Sequence, residues 1–189
     1  MESITSTQPK SDISGLTLIL GGARSGKSSL AVETAARSVA EVVFIATAQA
    51  FDSDMEARIS RHRQERPEWR TIEQPLNLLE AVKQAPQDSC LIIDCLTLWI
   101  SNLILRGDRE DAIKQTSTEV LAEIACRSGR TIAVSNEVGL GIVPDSQLGR
   151  EYREVLGRIN QQWVSAAQLS LFMVAGKALL LQNTKDLIS

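Results

Sequence analysis

Short apolar runs recur along the chain, separated by longer stretches in which apolar residues return every three or four positions. The runs are residues 16–20 (LTLIL), 42–46 (VVFIA), 90–94 (CLIID), 131–135 (TIAVS) and 169–175 (LSLFMVA). Each is apolar nearly throughout rather than alternating, which predicts strands covered on both faces. Between them, Ile113, Val120 and Ile124, and again Leu148, Tyr152, Val155, Leu156, Ile159 and Trp163, fall at helical spacing. The first of these two helices is expected to end at SGR, with Gly129 taking a left-handed cap before the next strand. The closing LFMVAGKALLL reads either as a single strand or as an antiparallel hairpin turning near Gly176 and Lys177. Strands alternating with helices predict an α/β domain with a mainly parallel sheet, right-handed crossovers and ligands at the carboxyl ends of the strands. Residues 1–15 are polar and read as a flexible tail, and residues 16–189 as one nucleotide-binding catalytic domain.

Composition narrows the partners. A net charge of -3 over 189 residues leaves no basic stripe for nucleic acid and no polybasic membrane anchor. Asp94 and Lys177 interrupt the two longest apolar runs, which are already shorter than the roughly 20 residues of a membrane span. The start carries acidic residues and lacks the basic end and apolar stretch of a secretion signal. The three cysteines, Cys90, Cys95 and Cys126, lack the paired spacings of a zinc or redox site. A soluble cytoplasmic protein with reduced, packing cysteines is expected.

Chemistry enters with the segment LILGGARSGKSSL. Gly21, Gly26, Lys27 and Ser28 match G-x-x-x-x-G-K-[ST], directly after an apolar strand and directly before a helical run. Glycines at Gly21, Gly22 and Gly26, with Ala23, Arg24 and Ser25 between them, let backbone amides converge on phosphate oxygens at a helix N-terminus. Lys27 can bridge the β- and γ-phosphates, and Ser28 can ligate magnesium. The metal's second protein partner should be an acid closing another core strand. Asp94 fits, although the same residue could instead cap the helix that follows. The chain has no Asn-Lys-x-Asp motif, so a guanine-specific switch is a poor match.

His62 is the single histidine. It lies in DSDMEARISRHRQER, which opens on a candidate capping box at Ser53 and Glu56 and places Asp54, Arg58 and His62 along one helical face. A lone histidine among arginines is ordinarily a surface residue. For a covalent nucleotidyl handle, however, imidazole with a reference pKa near 6.5 is the cheaper nucleophile: a lysine near 10.4 must give up its proton at roughly 4–5 kcal/mol. Arg58, Arg61, Arg63 and Arg66 around it would then suit triphosphate oxygens.

Taken together, GGARSGKS, FIATAQ, DMEARISRHRQERPEWRTIE, DCLTLWISNL, SNEVGLGIVP and YREVLGRINQ resemble, in order and spacing, the bifunctional adenosylcobinamide kinase / adenosylcobinamide-phosphate guanylyltransferase family of cobalamin biosynthesis. The resemblance covers nearly everything after the tail. It implies a RecA-like P-loop domain, a homotrimer, and two reactions using ATP or GTP with Mg2+. The first phosphorylates adenosylcobinamide. The second transfers GMP from GTP, through a guanylyl-histidine at the position of His62, to adenosylcobinamide phosphate. The same matching makes Ala46, Thr47, Ala48, Arg63, Gln64, Glu65, Arg66, Glu73 and Asp94 nucleotide-site candidates, with Glu73 and Asp94 reading the guanine or the metal. Other readings stay open beside these. Glu73 could be a helix-start acid before PLNLLEAV. Glu137, after a strand end beside Asn136, could orient a hydroxyl or magnesium as a catalytic residue, or belong to a polar turn around Gly139 and Gly141. Arg153 and Asn160 could reach a neighbouring subunit or line a solvated face. A kinase without guanylyltransferase activity and a non-catalytic GTP-binding module are the rival functions.

Overall fold

A computed structural model of the chain describes residues 14–50, 53–64 and 66–183, the side chains of Asp54, Met55, Arg58 and His62 excepted. Most of the expected tail and the candidate Glu65 therefore lie outside the described residues. The elements follow in the order β1 (Gly15–Gly21), α1 (Lys27–Ala35), β2 (Val42–Ala46), α2 (Ser53–Gln64), β3 (Arg70–Glu73), α3 (Leu78–Gln84), β4 (Cys90–Asp94), α4 (Leu96–Arg106), α5 (Glu110–Ala125), β5 (Arg130–Val134), α6 (Gln147–Ala166), β6 (Leu169–Val174) and β7 (Lys177–Leu180). They build one seven-stranded sheet in the order β3-β2-β4-β5-β1-β6-β7. All pairings are parallel except β6 with β7. The closing segment is thus the hairpin, turning through Ala175 and Gly176, both at positive φ. β5 lies between β1 and β4, so the phosphate-loop strand and the Asp94 strand are next-but-one neighbours in a RecA-like arrangement.

The continuous apolar runs are explained by two cores. Leu18, Val43, Ile45, Leu91, Ile93 and Ala133 face a larger cluster completed by α3, α4, α5 and α6, including the fully buried Trp99 and Trp163. Their strand neighbours Ile19, Val42, Phe44, Cys90, Ile92, Ile132 and Val134 face a smaller cluster completed by Ala31 and Ala35 of α1. Alternate side chains on β1, β2, β4 and β5 therefore enter different cores, and neither face of these strands is left polar. The buried tryptophans keep their indole hydrogen bonds, Trp99 to the Leu76 carbonyl at 2.9 Å and Trp163 to Ser117 Oγ at 2.8 Å.

One strand is unanticipated and three local expectations are corrected. β3 (RTIE) carries no strong strand signal, because it is a short edge strand with Arg70 and Glu73 exposed. Glu73 closes that strand and is not a helix-start acid; Asn77 caps α3 instead, accepting the Glu80 N–H. Leu148 is half exposed, since the buried stripe of α6 begins at Tyr152 and Val155. Gly129 has no left-handed φ, and α5 ends at Cys126 in a right-handed conformation. Glycine is required at position 129 by close approach: a Cβ there would lie 2.2 Å from the Ser89 carbonyl oxygen, while the Gly129 N–H donates to the Gln87 carbonyl. The neighbouring Arg127 secures the same loop, donating to the carbonyls of Val82, Ala85, Pro86 and Ser89. We expect Gly129→Ala to cost about 3 kcal/mol of stability through this overpacking; a denaturant midpoint equal to that of the wild type would contradict the packing.

Candidate functional site

The phosphate loop spans the end of β1 and the start of α1. Two glycines are needed for its shape. Gly21 has φ 148 and its Cβ would meet the Met173 carbonyl oxygen at 2.4 Å; Gly26, at the N-cap of α1, has φ 96. The loop is held on both flanks by backbone bonds, Glu137 N–H to the Gly21 carbonyl and Gly176 N–H to the Ser25 carbonyl, each 3.0 Å. Gly22, Ala23 and Arg24 are exposed, and Ser25 is buried. Lys27 is only 7% exposed, and its ammonium donates to the Gly22 carbonyl at 2.6 Å. Burial lowers its pKa, against the fields of Cys95 and Asp94. Ser28 follows, half-buried in the first turn of α1.

Asp94 remains the last residue of β4. It does not cap α4, whose N-cap position is held by Cys95, after a cis Asp94–Cys95 peptide, without a side-chain cap bond. The carboxylate side of the site is set by register. Ala46 pairs with Asp94 on one side and Glu73 on the other, so the three form a row across β4, β2 and β3. Asp94 and Ala46 follow Ile92 and Phe44 by two positions and face the α1 side of the sheet. Glu73 faces the same side, since Ile72 packs on the opposite core. Two carboxylates thus flank a small alanine. Arg66 lies in the fields of both Asp94 and Glu73, and Arg63, on α2, forms an ion pair with Glu73. Arg63, Arg66, Trp69 and Glu73 line an open groove of about 470 Å3.

Behind the row lies a buried polar network that sequence reasoning missed. Thr47, fully buried, donates to the Cys95 carbonyl at 2.7 Å and accepts the Cys95 N–H at 2.8 Å, and Asn102 donates to the Thr47 carbonyl at 2.8 Å. Thr97 accepts the Asn136 N–H at 2.6 Å, Ser135 donates to Asn160 Oδ1 at 2.7 Å, and Asn160 donates to the Asn136 carbonyl at 3.0 Å. These bonds fix the ends of β2, β4 and β5 relative to one another. Asn160 is therefore neither solvated nor directed outward, and the Thr47 hydroxyl serves the strand ends. The available signal was Thr97 and Asn102 within the otherwise apolar LTLWISNLI.

The predicted residues fall along the carboxyl rim of the sheet. Lys27 and Ser28 lie at one end and Asp94 midway on β4, with Arg66, Arg63 and Glu73 on the β2–β3 side. β1 and β3 are four strand spacings apart, about 19 Å. His62 sits one residue before Arg63 on α2, at the far end. Gln64 ends that helix exposed, and Ala48 is half-buried just past β2. Glu137 accepts the Gly139 N–H, forming the polar turn, while its own N–H touches the phosphate loop. Arg153 donates to the Gly139 carbonyl and steadies that turn. Among the described residues, no cluster of three or more His, Cys, Asp or Glu could hold a metal. Ser28 and Asp94 are hard oxygen donors that suit magnesium arriving with a nucleotide, where phosphates and water complete the shell.

Burial, reinforced by Asp94, pushes the Cys95 thiol up to about 12, against smaller opposing contributions from Leu98, Thr97 and Lys27. The folded protein thus keeps this proton where the unfolded chain, near 9.0, has lost it, so its contribution to stability falls as pH rises through that window. At pH 8, iodoacetamide should modify the exposed Cys126 well before the half-buried Cys95, whose thiol stays protonated, as read by peptide mass; labelling of Cys95 as fast as Cys126 would contradict the raised pKa.

Three comparisons bear on this site. A family model described as cobinamide kinase / cobinamide phosphate guanyltransferase matches residues 17–181. The chain is 47% identical to the bifunctional adenosylcobalamin biosynthesis protein CobP of Pseudomonas aeruginosa, over 84% of this chain and 92% of the relative. It is 37% identical to the bifunctional adenosylcobalamin biosynthesis protein CobU of Escherichia coli, over 85% and 96%. Among solved structures, a Pyrococcus horikoshii OT3 protein aligns over 94% of this chain and 91% of its own, at 12% identity and a TM-score of 0.56. An ATPase from the type III secretion system of pathogenic bacteria aligns over 84% and 50%, at 11% identity and a TM-score of 0.52. Those two similarities concern the fold alone.

Proposed function

The chain belongs to the cobinamide kinase / cobinamide phosphate guanyltransferase family, and on that premise we propose that it phosphorylates adenosylcobinamide and then guanylylates the product. The observation that carries the reading is the buried Lys27 lying in the field of Asp94, at the ends of strands that flank β5. In the first reaction the aminopropanol hydroxyl oxygen attacks the γ-phosphorus of ATP or GTP. The bond to the bridging oxygen breaks, the nucleoside diphosphate leaves with the electron pair, and the hydroxyl proton is released. In the second, an imidazole nitrogen of His62 attacks the α-phosphorus of GTP and pyrophosphate leaves. A phosphate oxygen of adenosylcobinamide phosphate then attacks that phosphorus, the P–N bond breaks, and adenosylcobinamide-GDP departs with the imidazole restored.

One phosphate loop, Gly21 to Ser28, serves both reactions in this account, with Lys27 on the outer phosphates. The nucleotide lies along the rim past Ala46–Ala48 and Asp94 toward Glu73, with Arg63, Gln64, Glu65 and Arg66 on its polar atoms. Support for this path is the row Asp94–Ala46–Glu73, which leaves a small residue between two carboxylates. Ser28 and Asp94 would hold a magnesium ion arriving with the nucleotide, which would supply positive charge to the phosphate oxygens, and Glu137 orients the acceptor hydroxyl. We place residues 16–189 in one catalytic unit that works as a cytoplasmic homotrimer without nucleic-acid partners. Exposed Leu140 and Ile142, 81% and 96% accessible, support an assembly. Among the described residues, no helix is long and apolar enough to cross a membrane.

The direct test supplies the protein with adenosylcobinamide, ATP, GTP and Mg2+ and follows corrinoid masses. Successive appearance of the phosphate and the GDP conjugate is expected. Arrest at the phosphate would select a kinase alone, and no phosphate at all would overturn the reading.

A further inference from the structure

Arg66 emerges just beyond α2 and must cross the α1 side of the sheet to reach the row of carboxylates. Its guanidinium carbon stands 3.7 Å from the centroid of the Phe44 ring, and Nη2 donates to Thr71 Oγ1 at 3.2 Å. Phe44 is itself 5% exposed, packed in the smaller core on β2, two residues before Ala46 and on the same face. The ring therefore cannot move without disturbing the sheet, and the guanidinium lies against a rigid surface. Such a side chain ordinarily samples many rotamers, and a flat aromatic face with one hydrogen bond selects a single plane for it. Asp94 and Glu73 act on Arg66 from the two sides of Ala46, opposing the depression of its pKa by burial and by Arg63. The guanidinium thus lies over the Phe44–Thr71 pair, one same-face step before the Ala46–Glu73 pair, within the fields of both carboxylates.

We propose that Phe44 is a positioning residue for the nucleotide: its ring face fixes the Arg66 guanidinium beside the β2–β3 end of the rim, so that phosphate oxygens meet donors already in place. The inference rests on the proposed role of Arg66 in the nucleotide site. Phe44 touches no nucleotide atom in this account and acts through Arg66. A lysine at position 66 would keep the charge but lose both the stacking and the fork.

Equilibrium binding of GTP with Mg2+ is measured by calorimetry on the wild type, Phe44→Leu, Phe44→Tyr, Arg66→Ala and the double variant Phe44→Leu/Arg66→Ala. Phe44→Leu should weaken binding by about tenfold, and Phe44→Tyr, which keeps the ring face, should restore it. In the Arg66→Ala background the Phe44→Leu exchange should have no further effect, since the group it positions is gone. Equal losses in both backgrounds, or no loss from Phe44→Leu while Arg66→Ala is impaired, would overturn the inference and leave the nucleotide site standing. Wild-type affinity in Arg66→Ala would instead remove Arg66 from the site and bring down the underlying reading as well.

Discussion

Lys27→Met should lower phosphoryl transfer to the corrinoid by about 10²–10³-fold and abolish guanylyl transfer with it, while leaving the unliganded protein at least as stable as the wild type. The first effect follows from position: Lys27 opens α1 directly after the glycine loop, where no other described side chain presents a buried ammonium to the outer phosphates. The second follows from desolvation. Burial lowers the Lys27 pKa from 10.5, against opposing contributions from Cys95 and Asp94. A lysine shifted down binds fewer protons folded than unfolded between the two values, so stability rises with pH through that window. At neutral pH the folded protein carries the full penalty of the buried charge. Methionine keeps an unbranched apolar stem and removes the charge. Thermal unfolding should therefore shift little or upward, and the stabilisation that GTP confers on the wild type should vanish. Retained turnover would place the phosphate elsewhere, and a collapsed fold would show that Lys27 is chiefly structural.

The second large effect is a separation of activities. His62→Ala should reduce guanylyl transfer to background while adenosylcobinamide phosphorylation continues at the wild-type rate. The structure supports independence of the two steps. The glycine loop is anchored by the Glu137 and Gly176 N–H groups, and the strand end before Glu137 is held by the buried network at Thr97, Ser135 and Asn160. α2, which carries His62, is joined to the sheet at the opposite edge, through Arg63 and Glu73. The backbone of that helix belongs to the β3 side of the sheet, away from β1 and the phosphate loop. Loss of both activities together would mean that α2 also shapes the kinase step.

How much of this was legible beforehand depended on the range of the interactions. The phosphate loop and Asp94 could be read because their signals are local: a glycine pattern between strand and helix, and an acid closing an apolar run. The two cores explain why those runs do not alternate. β3 was not readable, since an exposed four-residue edge strand has neither a second buried face nor length to mark it. Local logic makes Gly129 a cap, but its constraint comes from Ser89, forty residues away in the chain, as the sheet brings two loops together. Asn160 failed in the same way. Its partners Ser135 and Asn136 are 25 and 24 residues distant, so its burial is decided by the packing of α6. The row Asp94–Ala46–Glu73 is likewise a product of register, which no spacing within one strand reveals.

The central claim is that one chain uses a single phosphate loop for two transfers and His62 as a covalent carrier in the second. The measurement that tests it most directly is incubation with GTP labelled at the α-phosphate, followed by peptide mapping and a chase with adenosylcobinamide phosphate. The account predicts an acid-labile label on the peptide containing His62, lost when the acceptor is added, absent from Lys27→Met and absent from His62→Ala. A label that persists in His62→Ala, or guanylyl transfer without any labelled protein, would contradict it.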